Sequence, residues 1–222
     1  MQSIALWLLI SFSSSPVDSA NSPPLSDGTL LFLENCNSVV EYSTGGKIGH
    51  VALAFHDGHE TWIYEATPAK VRRIRAAEYY AELARLNKRR DADEQVRVWM
   101  LRPEAAYTDA EIARMREFLD AQVGRRYSVK NYVKGKPGDG IHCAELASTT
   151  LTRSGRYRFE EFHRINPQAL YTAILSTHAP PREITIPVLA VTETWCVRAQ
   201  RRWTDYWTWC GWSCGEAWAF CW

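Results

Sequence analysis

Apolar and polar positions alternate in short blocks through the first half of the chain and in longer helical stripes through the second. After a Pro/Ser-rich leader (Ser22-Pro23-Pro24), Thr29 to Leu33 is a compact apolar run with strand character. A polar stretch containing Thr44-Gly45-Gly46 follows, then Ile48 to Phe55, the connection His56-Asp57-Gly58-His59, and Thr61 to Ala66. Two β-compatible runs around Asp-Gly predict a tight hairpin. Ala76 to Asn87 is helical in composition, Lys88 to Glu94 is a charged, solvated connection, and Gln95 to Leu101 alternates as a strand does. Thr108-Asp109-Ala110-Glu111 is a capping box, and Ile112, Met115, Leu119 and Val123 form the apolar stripe of a helix that ends at Gly124. A loop rich in Gly and Lys (Lys134 to Gly140) leads into a second helix, Cys143 to Thr152. Pro167 opens a third, running to about Ser176, and Ile184 to Val191 is a last apolar strand interrupted by Pro187. No repeats are visible. Strands first and helices later predict an α+β domain.

Composition narrows the partners. The 222 residues suit one domain of ordinary size, and 46% hydrophobic with 23% charged residues argues against general disorder. Twenty-six Lys plus Arg against 25 Asp plus Glu leave a formal charge of +1, so no nucleic acid partner is expected. No run reaches the roughly 18 apolar residues of a membrane-spanning helix. Ile4 to Phe12 is a short apolar stretch broken at Ser13-Ser14-Ser15-Pro16, with small residues at Val17-Asp18-Ser19, although no Lys or Arg precedes Lys47. Residues 1–20 are therefore expected to be a signal peptide and the chain to be exported, periplasmic or extracellular. Residues 21–192 form the domain, and residues 193–222 a Trp/Cys-rich tail.

That tail holds seven of the ten Trp and Cys196, Cys210, Cys214 and Cys221, with Arg198, Arg201 and Arg202 ahead of its densest part. Four readings stay open. It is an interfacial anchor making peripheral membrane contact, a disulfide-stapled cap, a metal site without a recognisable zinc spacing, or a poorly ordered end.

Candidate chemistry sits in the body. With Asp57-Gly58 as the central residues of the turn, His50 falls directly opposite Glu65 on the same face, where opposed Cβ atoms lie ~4.5–5.5 Å apart. A carboxylate there fixes the imidazole tautomer and raises its basicity. Cys143 follows the Gly-rich loop Gly138-Asp139-Gly140-Ile141-His142 and opens an apolar helix. The positive end of a helix and its free N–H groups lower a thiol's pKa below ~8.5, a neighbouring His lowers it further, and the same N–H groups can hold an oxyanion. Cys143, His50 and Glu65 thus meet the requirements of Cys–His–acid acyl chemistry.

The run Thr29-Leu30-Leu31-Phe32, then Ile48-Gly49-His50-Val51-Ala52-Leu53, Tyr64-Glu65-Ala66-Thr67-Pro68 and Cys143-Ala144-Glu145-Leu146 resembles the permuted papain-like hydrolases of the NlpC-type superfamily, in its YiiX-like branch. Gly124-Arg125-Arg126-Tyr127 is similar to that family's Gly-x-x-Tyr element, and the resemblance covers roughly residues 27 to 175. It implies a permuted papain-like fold, an antiparallel sheet packed against helices, with the histidine strand ahead of the cysteine helix. Cys143 is then the nucleophile at a helix N-terminus, His50 the base and Glu65 the orienter, with no metal or cofactor. The implied substrate is a cell-wall peptide or another amide-linked amino-acid conjugate. The opening motif departs from the family's usual Gly-Asp, reading Ser26-Asp27-Gly28-Thr29. His142 is expected to be a loop residue, Glu145 structural, and Tyr127 a packing residue. Two alternatives remain. One is a lipid acyl hydrolase or acyltransferase resembling lecithin–retinol acyltransferase, whose relatives place a second His where this chain has Glu65. The other is a non-catalytic binding module on the same fold.

Overall fold

Leu30 to Leu33 are apolar at every position because the strand they form is covered on both faces. Leu30 and Phe32 enter one core with Val51, Leu53, Phe55 and Tyr64, while Leu31 and Leu33 enter a second with Ala52, Ala54, Ile63 and Met100. The computed structural model describes residues 25–36 and 38–186, with Trp195, Cys196, Ala199, Trp203 and Trp207 beyond them. The expectations for residues 1–20 lie outside the described residues, as do most of those for residues 193–222.

In chain order the elements are β1 (Thr29–Glu34), α1 (Ser38–Thr44), β2 (Ile48–Asp57), β3 (Glu60–Ala66), β4 (Val71–Arg75), α2 (Ala76–Asn87), β5 (Arg97–Leu101), α3 (Asp109–Gln122), α4 (Lys130–Lys134), α5 (Cys143–Ser154), α6 (Pro167–Ile174) and β6 (Arg182–Ile184). The fold is α+β. Its strands form one antiparallel sheet of six, ordered β4-β3-β2-β1-β5-β6. Helix α2 lays Tyr79, Tyr80, Leu83 and Ala84 on one face. Helices α3, α5 and α6 cover the other through Met115, Leu119, Leu146, Leu151, Leu170 and Ile174. Burying an apolar side chain of this size contributes about 1.5–3 kcal/mol, so each helix is held by its stripe more than by propensity.

The capping box at Thr108 is formed on both sides, the hydroxyl accepting from the Glu111 N–H and the Glu111 carboxylate from the Thr108 N–H. Its helix stops before Gly124, whose φ of +89° is left-handed, and Val123 is exposed rather than part of the stripe.

Two expectations are corrected. The final strand is β6, Arg182–Ile184, pairing with β5. It lies mostly ahead of the expected Ile184–Val191, and Pro187 to Val191 fall outside the described residues. The β2–β3 turn also differs. Asp57 pairs with Glu60, so Gly58-His59 are its central residues, with Gly58 at φ +63°. A two-residue hairpin with Gly first and only that residue left-handed satisfies the strand twist without forcing Asp57 to positive φ. The register therefore moves by two residues, and Leu53 faces Tyr64. Continuing the count, Glu65 comes opposite Ala52, and His50 is its diagonal neighbour instead of its direct partner. Because the shift is even, His50 and Glu65 keep the same side of the hairpin.

Candidate functional site

The site is built where the start of β2, the end of β3 and the start of α5 converge. In the β1–β2 ladder Leu33 pairs with His50 but Glu34 pairs with Ile48, so Gly49 is the extra residue of a bulge. A bulge bends its strand and re-aims the adjacent side chain. Ile48 accordingly joins the core that Val51, Leu53 and Cys143 share, against the alternation set by Ala52 and Ala54. The Gln168 side-chain oxygen of α6 accepts from the N–H groups of Lys47 and Ile48 and anchors this bent end.

Diagonal cross-strand neighbours remain within reach of long side chains. His50 uses that reach, its Nε2–H donating to Glu65 Oε2 at 2.8 Å. The other carboxylate oxygen accepts from Arg72 Nε at 2.7 Å, and the same guanidinium grips Glu82 of α2 with both terminal nitrogens. Arg72 stands directly across the β3–β4 ladder from Glu65. Burial works against the Glu65 carboxylate, but His50 and Arg72 outweigh it and hold its pKa below the usual value.

Cys143 is the first residue of α5 and is almost fully buried. His142 is the N-cap, extended at φ −102°, and its Nδ1 accepts the Glu145 N–H at 3.3 Å while Nε2 donates to the His163 carbonyl at 3.1 Å. Both ring nitrogens are thus employed in placing the helix start. No hydrogen bond among the described residues takes up the N–H groups of Cys143 and Ala144, the two donors beside the thiol.

Burial alone would push the Cys143 thiol up. The His50 charge, then the nearby His142 and His50 imidazoles, reverse that and pull it down from 9.0 to about 6. His50 moves the opposite way: burial opposes its protonation, but the Cys143 sulfur and Glu65 carry it to about 10. The two shifts run in opposite directions and each favours the charge of the other, so the geometry favours a thiolate beside an imidazolium. With Nε2 committed to Glu65, Nδ1 is the nitrogen available to exchange a proton with the sulfur. The His142 pKa is also raised, with burial opposing and the Cys143 sulfur, the His163 carbonyl and Glu145 favouring the charge.

The loop ahead of Cys143 is pinned. Asn131 Nδ2 donates to the Gly140 carbonyl and to both oxygens of buried Glu145. The Arg125 guanidinium donates to the carbonyls of Gly138, Asp139 and Gly140. Segment 124–128 ties β4 to this loop through the Val71 N–H on the Arg125 carbonyl and the Ile141 N–H on the Arg126 carbonyl. Tyr127, expected to pack, lies against the core shared by α3 and α5. An added Cβ at Gly140 would stand 2.3 Å from Ser128 Cβ, so only glycine permits the close approach of the two segments.

All three residues singled out from sequence meet here. Arg72, Asn131 and the capping role of His142 were missed. The direct pairing of Arg72 with Glu65 was the available signal, but it required β4 to be seen. Among the described residues, no group of three or more His, Cys, Asp or Glu is arranged to hold a metal ion, and no helix is long and apolar enough to cross a membrane.

Neither a family model nor a curated protein sequence matches the chain. Among solved structures, the metalloprotein YiiX from Escherichia coli O157:H7 is similar at 12% identity and a TM-score of 0.48, over 74% of this chain and 98% of that one.

Proposed function

We propose that the chain is a cysteine hydrolase with a permuted papain-like, NlpC-type arrangement, cleaving an amide bond through an acyl-enzyme on Cys143. The observation that carries this reading is the thiol at the start of α5 facing an imidazole whose far nitrogen is bonded at 2.8 Å to a buried carboxylate. The Cys143 thiolate attacks the carbonyl carbon, and the resulting oxyanion lies by the N–H groups of Cys143 and Ala144, which no described residue takes up. The His50 imidazolium gives its proton to the leaving amine. Neutral His50 then takes a proton from water, which hydrolyses the thioester and regenerates the thiolate. Glu65 holds the ring in one tautomer throughout, and Arg72 holds Glu65. A small peptide or acyl conjugate, such as a cell-wall peptide met after export, is the proposed substrate.

The test is to trap the intermediate. Incubation with a panel of activated amides and acyl esters, quenched in acid and read by peptide mass spectrometry, is expected to place the acyl group on Cys143 and to lose it in Cys143→Ala. An acyl group found on another residue, or turnover surviving Cys143→Ala, would overturn the reading. Preference for long-chain acyl esters over amides would favour lipid acyl chemistry instead.

A further inference from the structure

A recess of about 600 Å³ lies between the turn that follows β3 and the loop that leads into α5. One wall is the β3–β4 turn at Pro68 and Ala69, just past Glu65, and the other is the loop that ends three residues before Cys143. Arg126, Lys130, Lys134 and Lys136 line it against a single carboxylate, Asp139. That concentration is unusual in a chain whose charges otherwise balance to +1. Arginines of the sheet are matched by acids: Arg72 by Glu65 and Glu82, Arg73 by Asp57, Arg97 by Glu34 and Glu183. Arg126, Lys130 and Lys136 have no ion-pair partner among the described residues. Nor is the recess a loose loop. Arg125 and Asn131 engage the carbonyls of residues 138–140, and Asn131 joins the floor to Glu145 in the first turn of α5. The walls are therefore fixed relative to the nucleophile, and the field they produce is positive.

We propose that this recess receives the anionic end of the substrate, a carboxylate or phosphate carried a few bonds from the carbonyl that Cys143 attacks. The proposal deepens the hydrolase reading and rests on it for the identity of the bound molecule. It selects acidic acyl conjugates over neutral ones, in a part of the molecule where no catalytic group is needed.

Two alkylating reagents of nearly equal size test it. Iodoacetate is anionic and iodoacetamide neutral; with each, the Cys143 thiolate displaces iodide and forms a thioether. The ratio of their rates at Cys143, read by peptide mass spectrometry on the full chain, reports the local field with intrinsic thiol reactivity divided out. Replacing Lys130, Lys134 and Lys136 together by Gln is expected to lower the iodoacetate-to-iodoacetamide ratio about three- to tenfold at low ionic strength, and the difference should fade toward 1 M salt. An unchanged ratio would overturn the recess while leaving an activated thiol intact. Slow labelling by both reagents, rising only near the free-thiol pKa, would instead overturn the hydrolase reading. In that case binding of inorganic phosphate and of succinate, followed by calorimetry on the wild type and the triple variant, decides the recess on its own. Binding lost in the variant supports it, and no binding to the wild type refutes it. With an active thiol, protection of Cys143 from iodoacetamide by phosphate or by succinate separates the two anion chemistries.

Discussion

Removing the His50 imidazole should show more plainly in the pH at which Cys143 becomes reactive than in its rate at pH 7. With the thiol at about 6, roughly 0.9 of Cys143 is thiolate at pH 7; returned to 9.0, the fraction is about 0.01. The population of nucleophile thus falls on the order of ninetyfold. A more basic thiolate is also intrinsically more nucleophilic, with a Brønsted slope of about 0.4–0.5, which returns roughly 15- to 30-fold. The net loss at pH 7 is only about three- to sixfold, too small to distinguish an ion pair from a minor steric effect. The midpoint of the profile is not subject to that cancellation. Iodoacetamide labelling of Cys143 between pH 4 and 10, resolved by peptide mass spectrometry, is expected to rise with a midpoint near 6 in the wild type. In His50→Ala the midpoint should move above about 8, since burial then dominates and only His142 still opposes it. His50→Gln, which can still donate to Glu65, guards against collapse of the site and should shift the midpoint similarly. A midpoint that stays near 6 without His50, or one at the free-thiol value with it, would refute the ion pair.

Further outcomes follow from the same geometry. Because the Cys143 pKa is lowered and that of His50 raised, both are charged between about pH 6 and about pH 10, and acylation rates should rise through the first value and fall through the second. Glu65→Gln keeps an acceptor for His50 but removes a charge that favours the imidazolium, so a ring-proton NMR titration should place His50 below about 10, with turnover lowered about 10²- to 10⁴-fold. Gly140→Ala drives a Cβ into Ser128 and should cost about 1–3 kcal/mol by denaturant unfolding. His142→Ala should lose about 1 kcal/mol through the missing cap, while His142→Asn, a natural cap, should retain it; both should raise the labelling midpoint by less than His50→Ala does.

The sequence announced most elements that have a strong local cause. The capping box set the start of α3, Pro167 that of α6, and the apolar runs gave β1 to β3 nearly to the residue. Strand β4 escaped because Val71-Arg72-Arg73-Ile74-Arg75 has three arginines among five positions, and its β identity comes from pairing with β3 rather than from apolar alternation. With β4 invisible, Arg72 could not be placed beside Glu65. The hairpin argument brought His50 and Glu65 together through the wrong turn: the count was out by two residues, and only the even parity kept both on one side. A one-residue error would have separated them. The bulge at Gly49 was legible in principle, since a glycine inside an apolar strand is a common mark of one. His142 read as a loop residue because its work, capping α5 through Nδ1, depends on a ring orientation set by the distant His163 carbonyl.

Burial does not distinguish the two thiols of the body. Cys36, half-buried, and Cys143, buried, are both free thiols, and for both, burial is the largest influence and acts to raise the pKa. What differs is the company. The Cys36 thiol donates to the Leu33 carbonyl, its backbone N–H donates to Glu41, and the negative charges of Glu41 and Cys143 push it further up, outweighing Arg90 and a backbone hydrogen bond. Cys143 meets two imidazoles, one of which is held by a carboxylate that is itself held by an arginine. A hydrogen bond given by a thiol favours its neutral form, and one received by a thiolate favours the charge. The β1–β2 end of the sheet therefore carries one thiol locked as a donor and one poised as an acceptor. Mass-spectrometric labelling at neutral pH should find Cys143 modified and Cys36 untouched. Equal labelling of the two would mean that the imidazoles do not govern reactivity here.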